Sequence, residues 1–138
     1  MMKTVIGAVA SVAMLLAALP ASAVPKGIGG KVYELKAVGG SGEFGTVALK
    51  PVGGQTAVEV HVVNVPPDEV QTIHIHHGTC AKLDPPIVYR LSPLVDGTSE
   101  TIIDVPLSKI LATPSVIHVH RSFADEQRSI GCANLGPG

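Results

Sequence analysis

The chain has 138 residues, with 10 Lys and Arg against 11 Asp and Glu, a formal net charge of −1, 3% aromatic residues and no tryptophan. This near-neutral balance, without a Lys/Arg run or a basic amphipathic stretch, argues against nucleic acid or a membrane surface as partner and leaves small partners. A core without tryptophan must be built from Val, Ile, Leu and Ala, and the abundance of Val favours sheet over helix.

The first predicted element in chain order is a leader. Lys3, an apolar run over residues 5–19 and the small-residue triplet Ala21-Ser22-Ala23 form the pattern of a secretory signal. The run is too short for a membrane span. Residues 1–23 are therefore expected to be a signal peptide, and residues 24–138 an exported domain, periplasmic or secreted, with no membrane insertion once the leader is removed. The roughly 115 residues left suffice for one domain and not for two. Taking Lys3 away leaves 9 basic residues against 11 acidic ones, a net charge of −2.

The rest of the chain breaks into short apolar runs between Gly/Pro-rich punctuation. Runs over 31–38, 45–50 and 56–65 are separated by GGSGEFG and by the turn Pro51-Val52-Gly53-Gly54. The turn Pro66-Pro67-Asp68-Glu69 leads into a strand over 70–77. A long loop over 78–98 holds KLDPPIVYRLSP and ends in Asp96-Gly97. A strand over 100–105, a helical turn over 106–111, a strand over 115–121, a polar loop and a last strand over 130–135 complete the chain. About seven to eight short antiparallel strands with turn signals between them predict an all-β fold, a Greek-key barrel or sandwich.

Strand alternation sorts the histidines. In 70–77, Ile73 and Ile75 share one face, which puts His74 and His76 on the other. In 115–121, Ile117 and Val119 face one way, and His118 and His120 the other. Each strand is expected to turn its apolar face to the core and its histidines outward. Cross-strand neighbours stand about 4.5–5.5 Å apart at Cβ, a span that imidazoles about 2 Å from a metal can bridge. An all-nitrogen set with few carboxylates suits copper or zinc rather than calcium or magnesium. The competing reading is that each His-x-His is solvated polar surface. His61, alone on the outer face of its strand, reads as surface. His77, out of register with His74 and His76, reads as a loop-facing residue, a support for the ligands or a further ligand. A phosphate-cradling Gly loop, a zincin motif and a G-x-S-x-G elbow are absent from the sequence.

Cys80 and Cys132 form an even pair in a chain bound for an oxidising compartment, where one disulfide is expected. Its loop of about 50 residues would constrain the unfolded chain by on the order of 4 kcal/mol. The alternative is a free thiol serving as a copper ligand or redox group.

Four segments, GTVALKPV with the alternating strand after it, PPDEVQTIHIHHGTC, IHVHRS and SIGCANLG, stand in an order that resembles the Cu/Zn superoxide dismutase family from about Lys31 to the end. The resemblance implies that family's barrel, three copper ligands at His74, His76 and His120, and a Cys80–Cys132 disulfide. The departures are equally specific. The family's zinc ligands and its bridging histidine lie in the loop after the first cysteine. Here residues 81–99 hold no histidine, so zinc is not expected at a family-type site and the fourth copper ligand is missing. His118 is one substitute and His77 a second. The family's anion-steering arginine stands three places before the second cysteine; that place is Ser129 here, with Arg128 one position off.

Three functions follow from these readings. The first is an exported copper-binding protein serving sequestration, delivery or tolerance, a monomer or weak dimer. The second is a copper-only dismutase acting on superoxide, with Arg128 as anion guide. The third is a non-metal interaction module that kept the barrel.

Overall fold

The computed structural model describes residues 30–136, so the expected leader and its cleavage site lie outside the described residues. Eight strands and one short helix follow in order: β1 (Lys31–Ala37), β2 (Phe44–Val52), β3 (Gln55–Val63), β4 (Ile73–Gly78), β5 (Leu83–Arg90), β6 (Thr98–Ile103), α1 (Leu107–Leu111), β7 (Ser115–Ser122) and β8 (Asp125–Leu135). They form one antiparallel sheet in the order β5-β4-β7-β8-β1-β2-β3-β6. The all-β expectation and the strand count hold. Among the described residues, no helix is long and apolar enough to cross a membrane.

Chain connectivity explains why this sheet curls. Its two edge strands, β5 and β6, are consecutive in sequence and joined by residues 91–97 alone. Eight strands laid flat would put those edges roughly 34 Å apart, at about 4.8 Å per strand. A link of that length reaches at most about 28 Å when fully extended. The sheet therefore bends into a half-barrel that brings the edges together. Ser92 N–H donates to Thr101 Oγ1 at 2.8 Å and Ser99 Oγ–H donates to the Ser92 carbonyl at 2.6 Å, fastening the link to β6. Gln71 and Leu94 pair through their backbones on the β4 side.

The inner face follows the two-residue period of the sequence. Leu35, Val47, Leu49, Val58, Val60, Ile73, Ile75, Ile117 and Val119 are all fully enclosed. Aliphatic burial of this kind is worth roughly 1.5–3 kcal/mol per side chain before chain entropy is set against it. The disulfide is present between Cys80, just past β4, and Cys132 in β8, with a Cα–Cα distance of 6.0 Å.

The expected loop over 78–98 is corrected by the structure. Leu83–Arg90 forms β5, which pairs with β4 despite Pro85 and Pro86. Proline cannot donate to a ladder and is tolerated on an edge strand, and β5 is an edge. The remaining boundaries shift by a few residues, most at β8, which starts at Asp125 rather than near Ile130.

Candidate metal centre

His74 and His76 come from β4, His118 and His120 from β7, and the two strands are direct neighbours. His74 stands opposite His118 in the ladder, and the His120 N–H donates to the Thr72 carbonyl at 2.8 Å. The rings consequently crowd together. Centroids are 4.8 Å apart for His74 and His120, 4.9 Å for His118 and His120, and 5.9 Å for His74 and His76. One ring nitrogen from each of His74, His76 and His120 falls within 4.8 Å of the other two.

The solvated polar surface of the competing reading is not what the structure shows. His74, His76 and His120 are 3%, 5% and 7% exposed. Two irregularities cover them. The β4–β5 register shifts on both sides of His76, so β5 arches over that side chain along residues 84–86. The β7–β8 register shifts on both sides of His120, where a bulge re-aims the strand. Between these features lies a cleft of about 210 Å³, lined by His74, His76, Pro85, Ile87, His120, Glu126 and Gln127.

The arch fixes the chemistry of His76. Its Nδ1 lies 3.1 Å from the carbonyl oxygens of both Asp84 and Pro86. Carbonyls only accept, so Nδ1 carries the proton and Nε2 holds a free lone pair. That Nε2 is buried and has no hydrogen-bond partner. Both ring nitrogens of His120 are likewise buried without a well-formed partner, although the Glu126 backbone lies close by. Unpartnered buried polar atoms are costly and call for an explanation. Three imidazoles with ring nitrogens within 4.8 Å of one another are a set that could hold a metal ion.

His74 is differently placed. Arg90 Nη1 donates to its Nε2 at 3.2 Å, and Glu126 Oε1 is 3.8 Å from the same nitrogen. Burial, followed by the neighbouring His120, lowers the His74 pKa from 6.5 to about 4; Arg90 and His76 add to this and Glu126 opposes it. Burial and then the three other imidazoles lower His118 to about 4. Burial also lowers His120, with Glu126 pulling the other way. The neutral, ligand-competent forms therefore persist into mildly acidic solution.

The other residues singled out in the sequence are placed as follows. His118 belongs to the ring cluster, but its Nε2 shares a 2.7 Å hydrogen bond with Ser129 Oγ, and it is not one of the three histidines with converging nitrogens. His77 is half-buried, with Nδ1 3.4 Å from Ser115 Oγ, outside the cluster. His61 is exposed, as expected. Arg128 is exposed and does not line the cleft. Arg90 and Glu126, the charged groups beside His74, carry no signal in the sequence, because their positions depend on the two bulges. Larger hollows of about 360 and 410 Å³ lie elsewhere, but neither gathers buried, unpartnered ligand atoms. Comparison of the chain with protein-family models, with curated proteins and with solved structures finds no match.

Proposed function

We propose that the chain is an exported copper-binding protein on a Cu/Zn superoxide dismutase-like half-barrel, with His74, His76 and His120 as ligands. The observation that carries the reading is the set of unpartnered, buried ring nitrogens on His76 and His120 beside His74. Three imidazoles suit copper or zinc, and the ordered resemblance of the four sequence segments to the dismutase family favours copper. The disulfide fits an oxidising compartment. β5 occupies the stretch in which that family's zinc ligands would lie, so a single metal is proposed. Bound copper would supply a centre able to exchange one electron.

A copper-only dismutase is the second reading, since His74, His76 and His120 match three of the family's copper ligands. It is disfavoured by the cleft mouth, where Glu126 would offset the attraction of Arg90 for an anionic substrate and Arg128 is not among the lining residues. Sequestration or delivery of copper fits that mouth better.

The test is a Cu(II) titration of the metal-stripped protein followed by electron paramagnetic resonance. One equivalent with nitrogen hyperfine structure is expected. His74→Ala and His120→Ala should each weaken binding by on the order of 100-fold, at least what loss of a supporting group around a metal costs. Parent-like affinity in both variants would remove these histidines from the site. A superoxide assay on the loaded protein separates carrier from enzyme.

A further inference from the structure

We infer that Glu126 is the fourth ligand of this centre, making it a three-histidine, one-carboxylate site for a divalent transition metal. The inference rests on the three-histidine reading and goes beyond it. Glu126 Oε1 is 3.8 Å from His74 Nε2, and the residue lines the same cleft as the three histidines. Two neighbouring ligands each about 2.1 Å from an ion stand roughly 3.0 Å apart in square-planar coordination and roughly 3.4 Å apart in tetrahedral coordination. Glu126 stands outside the three residues whose ligand atoms already lie within 4.8 Å of one another, and a rotation of its side chain, which is 36% exposed, would bring it in. Among the described residues the carboxylate makes no other ion pair. The partners aimed into the cleft are the unpartnered nitrogens of His76 and His120, on side chains more than nine-tenths buried.

The local structure explains why this carboxylate, rather than its neighbours, reaches the centre. β8 begins at Asp125, and the ladder slips between the His120–Ser129 and Ser122–Asp125 pairs. The slip brings both Glu126 and Gln127 to the cleft while Asp125 stays paired opposite Ser122. Ser129, three residues beyond Glu126, is taken up by His118. His118, the histidine expected to complete the set, lies outside the group of three whose nitrogens come together, and of the two side chains that β8 brings to the cleft Glu126 is the anionic donor and Gln127 the neutral one.

The charge of the fourth ligand has a chemical consequence. A carboxylate is a hard, anionic donor and favours the divalent over the monovalent ion of copper. Glu126 should therefore hold Cu(II) and resist its reduction, which suits retention of copper more than rapid cycling.

The experiment is titration of the metal-stripped protein with Cu(II) and with Co(II), comparing parent, Glu126→Gln and His120→Ala, with circular dichroism confirming the fold. The expected result is binding weakened by on the order of 100-fold in His120→Ala. In Glu126→Gln, affinity should fall at least tenfold, with altered Cu(II) resonance and Co(II) absorption spectra and easier reduction of bound copper. If His120→Ala weakens binding but Glu126→Gln matches the parent in affinity and spectrum, the fourth-ligand proposal is overturned and the three-histidine site stands. A weaker but spectrally unchanged Glu126→Gln also overturns ligation, because it marks a group that merely holds His74 in position. If parent and His120→Ala alike bind no metal, both readings fall together.

Discussion

His74 and His118 illustrate what burial does to an ordinary side chain. Both are held neutral down to about pH 4, whereas in the unfolded chain a histidine takes up its proton near 6.5. Between those values the unfolded state binds more protons than the folded one, so stability rises with pH across that window and is lost as pH falls through it. The melting temperature of the metal-free protein should accordingly decline from about pH 6.5 toward pH 4, and His118→Gln should make the decline shallower. Identical melting at pH 7 and pH 4.5 would show that the imidazoles titrate as freely as in an open chain.

At the scale of elements, the centre depends on how β4 turns into β5. Gly78 ends β4 with φ +105°, a conformation closed to side chains, and a Cβ there would sit 2.5 Å from the Lys82 carbonyl oxygen. Gly78→Ala should cost about 1–3 kcal/mol in backbone strain, which lowers the melting temperature by roughly 4–8 °C per kcal/mol in a domain of this size. Gly54→Ala, whose Cβ meets nothing within 4 Å, is the matched control and should melt close to the parent. If the two substitutions behaved alike, the tight approach at Gly78 would not matter. The same region marks the limit of what the sequence discloses. Alternation of Ile73, Ile75, Ile117 and Val119 with four histidines sufficed to sort both strands and their faces. β5 stayed hidden because Pro85 and Pro86 read as punctuation, and an edge position is a property of the sheet rather than of the segment. The burial of the histidines, and with it the parts played by Arg90 and Glu126, comes from register slips that leave no periodic trace.

For the molecule as a whole, the half-barrel is held shut by non-local pairing and by one covalent link. Cys80 and Cys132 are 52 residues apart in the chain, and Cys132 sits opposite His118 in the β7–β8 ladder. Closing a loop of that length constrains the unfolded chain by on the order of 4 kcal/mol. Urea denaturation in the presence of a thiol reductant should show a midpoint well below that of the oxidised protein; coincident curves would mean that the sheet alone carries the stability. The segment that follows Cys80 also supplies the carbonyls of Asp84 and Pro86 that orient His76. Those acceptors belong to the main chain, and every amino acid carries the same one. Replacement of either side chain therefore leaves the acceptor in place, whereas insertion or deletion of a single residue in β5 would carry it away. In a lineage of such chains, the length of this segment would be kept while its letters drifted.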